Sequence, residues 1–514
     1  MNAMPAARRN MVESGLFGSE SLYVSFDFTL DAMLAAAGHF QEALRSGRSE
    51  EMPEEIKTYV HELTHYLQYT TTPYGLFLQY CRVMQSRVTI EIVSALVDAG
   101  IGFNIPLLHN VPNVTGETAT TLQRGLSLWL NVENLLAMLH GNTDRRMELM
   151  QLSIADYERV AAGHPPRLPL LLDVREAFVR VQESMAEMLE QINADAHEAG
   201  NPIPMEPVGF DHDVLRMEKT EIASDFDRAL LRNEYASDIV GLFNVEAIIE
   251  GAATAAEYWG SDISYDHFVA WANAEVDPKL RVYRTCLAQG LSAIPTRQLP
   301  EFIPSFMTLC ELALFAPVLP HHAALRRQHP DFRQIPPTFR WMELIRAASH
   351  VEPMRANNDH GRYVTDLCKK LGWVHPFQII KIAMDAPSAV SNPLAMIYLS
   401  AQRWRARSSG AFLGAHRFLF DPSPEAEAWR SMFNFVILDY ADRTTYHRDK
   451  EFLKAMTTRR LNMLGMRCIM IGDKSLTIRA PYRGNAAERS WMTEWLRERF
   501  KTVFGFPFPT LQVV

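Results

Sequence analysis

Apolar residues recur three and four positions apart along most of this chain, the spacing of one face of an α-helix. Ile56, Val60, Leu63, Thr64 and Leu67 form one such stripe. Pro53 and the pair Glu54-Glu55 stand in front of it; proline suits a first helical turn, and acids suit the positive end of the helix dipole. Thr70-Thr71-Thr72-Pro73 closes the stripe and Tyr74-Gly75 reads as a turn, so the pattern predicts a helix over about 53–70. A second helix, rich in Leu, Val and Ile, follows over about 74–99. After a loop at 101–113, the same periodicity predicts helices at about 116–140, 143–162 and 172–198. Asn201-Pro202-Ile203-Pro204 through Gly209 reads as a linker. Helices at about 213–241 and 244–259 come next, with a break at Gly241 and Asn244.

Alternation with aromatics over 21–30 predicts a strand before a helix at 31–46. In the second half, prolines punctuate helices near 265–275, 278–291, 303–316, 337–349, 362–371, 376–384, 392–405, 424–440 and 448–462. Two short alternating runs around Gly472-Asp473-Lys474 fit a hairpin over 467–480, and a last helix is expected at 485–501. The predicted fold class is mainly α (α+β), with a small β element near each end.

The chain has 514 residues, 47% apolar and 22% charged, the composition of an ordinary globular protein with room for two or three subdomains. Its net charge of −9 argues against a general nucleic-acid or acidic-membrane partner. No run of 18 apolar residues is present, so no transmembrane helix is expected. Met1 to Asn10 lacks an apolar segment after its arginines, which argues against a signal peptide. Cys81, Cys286, Cys310, Cys368 and Cys468 are scattered without C-x-x-C spacing, as expected of free thiols in a reducing cytoplasm.

The candidate chemistry lies in five residues, His61-Glu62-Leu63-Thr64-His65. Histidines at i and i+4 sit about 40° apart on a helix, so their imidazoles can converge on one metal ion. The glutamate beside the first histidine then faces the open coordination position as a general base. This segment resembles the zinc helix of the zincin metallopeptidases. The metzincin extension is absent: Gln68 and Thr71 stand where that pattern has glycine and histidine. The resemblance therefore implies a third ligand from another helix, a carboxylate, as in the gluzincins.

Two segments offer it. Asn233-Glu234-Tyr235-Ala236-Ser237-Asp238 resembles the second metal helix of thermolysin-like enzymes, with Asp238 in the place of a carboxylate that orients a zinc histidine. Glu250-Gly251-Ala252-Ala253 resembles the ligand helix of other gluzincin branches. The small residues over 251–256 favour Glu250, because they would let its helix approach the zinc helix closely. The 170 to 185 residues between the motifs exceed the spacing in thermolysin-like enzymes and imply a long helical insertion.

The resemblance thus implies a catalytic region over 1–260 with a helical insertion at about 101–200, and a mainly helical region over 261–514. It implies zinc held by His61, His65 and Glu250, with Glu62 passing a proton from water to the leaving amine. Gluzincins also stabilise the oxyanion with a Tyr or His, and His360, Tyr363 and Tyr258 are candidates. His321-His322 reads as a surface pair. The expected function is zinc-dependent hydrolysis of peptide bonds in a protein or peptide substrate, with a narrow target in the cytoplasm. The alternatives are an inactive zincin-like scaffold that binds a partner, and a helical interaction protein with a chance motif.

Overall fold

The computed structural model describes residues 15–18, 23–46, 52–99, 116–141, 162, 176–185, 187, 244–259, 263–274, 281–318, 335–355, 359–376, 437–439 and 445–446. These residues are mainly helical. Short strands β1 (Gly15–Gly18) and β2 (Tyr23–Phe26) precede α1 (Leu30–Arg45), α2 (Glu54–Thr71), α3 (Pro73–Asp98) and α4 (Glu117–His140). Then come α5 (Val245–Glu257), α6 (Tyr265–Asn273), α7 (Arg281–Ala293), α8 (Leu299–Leu314), α9 (Pro337–Ala348) and α10 (His360–Leu371). Strands β3 (Ile437–Asp439) and β4 (Thr445–Tyr446) complete one sheet of order β1-β2-β3-β4. Its outer pairs are antiparallel, and β2 pairs with β3 in parallel, joining residues from near the two ends of the chain. The segment 437–439 lies within a predicted helix; its short apolar run has no period that separates strand from helix, and pairing with β2 decides it.

α2 is buried around most of its circumference. Its apolar residues Ile56, Val60, Leu63 and Tyr66 explain part of that burial, but Thr64, Thr70, Thr71, Glu62, His65 and Gln68 are buried too. The threonines satisfy themselves by donating to carbonyls one turn back: Thr64 to Val60 at 2.8 Å, Thr70 to Tyr66 at 2.7 Å, and Thr71 to Leu67. The longer polar side chains need partners from elsewhere.

The neighbour that meets them is α5. Its N-cap is Asn244, whose side chain accepts from the Ala247 N–H at 3.0 Å, so this helix starts where it was expected to, while the preceding segment through Gly241 lies outside the described residues. α5 packs against α2 on one side and against α7 and α8 on the others, so contacts run across residue 260. Gly251 is what allows the second approach: a Cβ there would lie 2.9 Å from Cys286 Cβ on α7. α3 begins almost where α2 ends. Thr72 alone separates them, and Gly75 falls in the first turn of α3 rather than in a turn between helices. A Cβ at Gly75 would lie 2.4 Å from the Gln68 carbonyl oxygen, so only glycine lets the two helices abut so tightly.

The predicted helix at 143–162 except for its last residue, the helix at 213–241, the linker at 201–209, the hairpin at 467–480 and the helix at 485–501 lie outside the described residues, as does His321-His322. No described helix is long and apolar enough to cross a membrane. The four described cysteines, Cys81, Cys286, Cys310 and Cys368, are free and buried.

Candidate metal centre

His61 and His65 leave α2 on the same face and meet Glu250 from α5. The ligand atoms of the three residues all lie within 4.8 Å of one another, the only such cluster among the described residues. Both ring Nε2 atoms point to the same carboxylate oxygen: Glu250 Oε2 is 3.2 Å from His61 and 3.3 Å from His65. The two rings meet edge to face, with centroids 4.7 Å apart. The Glu250 side chain is 18% exposed, so the cluster sits at the rim of the core rather than sealed inside it.

The far side of each imidazole is held by an acceptor. His61 Nδ1–H donates to Glu257 Oε1 at 2.7 Å. His65 Nδ1–H donates to Gln68 Oε1 at 3.1 Å. These bonds fix both tautomers, because a nitrogen that donates from Nδ1 leaves the Nε2 lone pair free in the neutral ring. Two such lone pairs facing one carboxylate oxygen repel it unless positive charge lies between them. Two protons or one metal ion would serve.

The acid–base behaviour of the three groups points the same way. Burial alone would lower the His61 pKa, but hydrogen bonds to Glu250 and Glu257 and their charge overcome it and hold the ring well above its ordinary value. His65 is also raised: burial opposes, and the charge and hydrogen bond of Glu250 prevail. Burial would raise Glu250, yet the two imidazoles hold it far below the usual carboxylate range. The donor set of two imidazole nitrogens and one carboxylate fits zinc, which takes such ligands and in catalytic sites keeps a further position open.

Glu62 lies beside this group. It is buried, and its charge acts on both His65 and Tyr283. Tyr283 comes from α7, with its ring centroid 6.1 Å from that of His61. Burial, reinforced by Glu250, Glu62, Glu246 and Glu257, pushes its phenol above the ordinary value. Glu246, one turn before Glu250, is raised by burial and by Glu250.

The structure therefore brings together His61, Glu62, His65 and Glu250. Glu234 and Asp238 lie outside the described residues. The small residues around Glu250 have a partly different role from the expected one, since Gly251 makes room for Cys286 and Phe306 rather than for α2. The three expected oxyanion residues take core positions. Tyr258 packs on Phe268 and Trp271, with centroids 5.1 and 5.0 Å away. His360, which opens α10 two residues before the expected start at 362, is 4.0 Å from Glu311 of α8, and Tyr363 is fully buried.

Glu257 and Tyr283 were not singled out from sequence, and Gln68 only as a departure from the metzincin pattern, although each carried a signal. Glu257 follows Glu250 by seven residues, and Gln68 follows His61 by seven, a separation of about 20° on a helix. Tyr283 shares a stripe with Cys286, Leu287 and Gly290, the buried face of α7. Comparison of the chain with protein-family models, with curated proteins and with solved structures gave no match, so its functional reading rests on the site itself.

Proposed function

We propose that this chain is a zinc-dependent metallopeptidase in which His61, His65 and Glu250 hold the metal and Glu62 is the general base. One observation carries the reading: both imidazole Nε2 atoms converge on Glu250 Oε2 while both Nδ1 atoms are committed to acceptors behind them. Buried carboxylates and imidazoles in that orientation suit a cation of +2 charge.

A zinc ion bound there supplies Lewis-acid chemistry, lowering the pKa of water and polarising a carbonyl. The remaining work falls to the chain's own side chains. Glu62 takes a proton from the attacking water and returns it to the leaving amine. Glu257 holds the His61 ring in position. The Tyr283 phenol, protonated at neutral pH as a tyrosine is and near the His61 ring, donates to the carbonyl oxygen as negative charge builds on it. A peptide substrate is favoured by β1, which packs against α2 and is the outer strand of its sheet among the described residues. An outer edge of this kind suits an extended chain.

The test is cleavage of an unstructured peptide library by the zinc-loaded full chain and by Glu62→Gln. The expected result is cleavage by the wild type and a fall of about 10²–10⁴-fold in the variant, with its zinc content unchanged. Equal cleavage by the variant would remove Glu62 from the mechanism. A zinc-replete wild type that cleaves nothing would favour a binding scaffold instead.

A further inference from the structure

We infer that Gln68 is a positioning residue that fixes the orientation of one metal ligand and ties it to the backbone beside another. This rests on the metal reading above.

Gln68 is 2% exposed and bonded at both ends of its amide. Its Nε2–H donates to the Ile249 carbonyl at 3.1 Å. A carbonyl only accepts, so that bond assigns the nitrogen, and the amide oxygen must then be the atom facing His65 Nδ1, 3.1 Å away. His65 Nδ1 therefore carries its proton, and Nε2 is the nitrogen offered to a metal. Ile249 directly precedes Glu250. A single amide thus links the ring of one ligand on α2 to the chain segment that carries another on α5.

The residue is also anchored at its backbone. The Gln68 carbonyl accepts from Thr72 Oγ1 at 2.6 Å, and Gly75 packs against it at a distance no other residue permits. A glutamine held this way does not reorient freely. His65 lies one turn before it, so the bond spans a fixed separation on one helix. Glu257 does the corresponding service for His61 as a carboxylate of α5, so that its one bond also crosses between the two helices. Gln68 couples ligand orientation to the packing of α2 on α5 from within the helix that carries both histidines, through a side-chain amide that bonds to the α5 backbone.

Two variants of the full chain separate the two bonds. Gln68→Met keeps the length and removes both. Gln68→Glu keeps an acceptor for His65 Nδ1–H and loses the donor to Ile249. Zinc affinity by chelator competition, the absorption bands of the Co²⁺-loaded protein and the melting temperature of the metal-free protein are measured for each, with circular dichroism as the check on folding. The expected result is zinc affinity about 10–100-fold lower in Gln68→Met, with shifted Co²⁺ bands. Gln68→Glu should regain affinity relative to Gln68→Met while remaining less thermally stable than the wild type. If Gln68→Met does not fold, the comparison of Gln68→Glu with the wild type decides. Wild-type affinity and unshifted Co²⁺ bands in Gln68→Met overturn the inference. So does a loss of affinity in both variants that merely follows their loss of metal-free stability. A folded wild type that binds no zinc overturns the metal reading itself, a different result from either of these.

Discussion

Two of the polar networks buried between the described helices are balanced in different ways. Between α3 and α4, Arg82 Nη1 donates to Glu133 Oε1 at 2.6 Å, and Gln85 donates to the same oxygen at 2.7 Å. One cation faces one anion and an amide fills the remaining valence, so that network is complete as the chain builds it. Between α2 and α5, the partners of His61 and His65 are Glu250, Glu257 and the amide of Gln68, and Glu62 and Glu246 add charge nearby. Among the described residues, none of the bonds just named involves an arginine. The first arrangement holds two helices together with its own cation; the second has the same need for positive charge, which protons on the two imidazoles or one bound metal ion would meet. A buried glutamate is therefore not itself a sign of function. The sign is several donor atoms aimed at one point with their other sides already occupied.

That contrast can be broken from either side. The largest expected effect is at Glu257. Glu257→Ala leaves the His61 Nδ1–H without its acceptor, and zinc affinity should fall about 10–100-fold while the fold persists, measured by chelator competition. An unchanged affinity would mean that the His61 ring is oriented by something else. Arg82→Met should do the opposite. It removes the cation that faces the Glu133 carboxylate, whose side chain is 10% exposed, and should cost about 2 kcal/mol in denaturant unfolding without altering zinc affinity. The figure is set below that of a fully buried pair because the Arg82 side chain is 26% exposed. Loss of zinc in this variant would show that the two networks are not independent.

The smallest effect concerns pH. Burial, with the charge of Arg82 added, lowers the pKa of His140 to about 4, below its ordinary 6.5. The unfolded chain then binds a proton more readily than the folded one. The stability due to neutral His140 is complete above pH 6.5 and is lost as pH falls toward 4. Unfolding measured across that window should show a loss on the order of 1–2 kcal/mol, reduced in His140→Gln. An identical acid limb in the variant would assign the loss to other groups.

How far the site could be read from sequence follows from how local each part is. His61, Glu62 and His65 are a spacing on one helix, and the proline and acids before that helix mark its start, so both motif and helix were legible. Glu250 was legible through the small residues beside it, but their reason was only half right, because Gly251 accommodates Cys286 on a helix whose packing no local pattern announces. Tyr283 is the clearest loss. It lies on the buried stripe of α7, which the periodicity shows, but which helix that stripe meets is a tertiary fact. The strand at 437–439 was hidden for a related reason, since three residues of strand exist only through their pairing with β2. Gln68 was visible as a departure from the metzincin pattern, and its part at the site emerged only when Ile249 was found opposite it.

The most direct test of the central claim is metal content per chain, by elemental mass spectrometry, for the wild type and for His61→Ala, Glu250→Ala and Glu234→Ala. The account predicts about one zinc per wild-type chain, lost in His61→Ala and Glu250→Ala and kept in Glu234→Ala. Zinc kept in Glu250→Ala but lost in Glu234→Ala would move the third ligand elsewhere, and a folded wild type that takes up no metal from zinc-containing buffer would contradict the account as a whole.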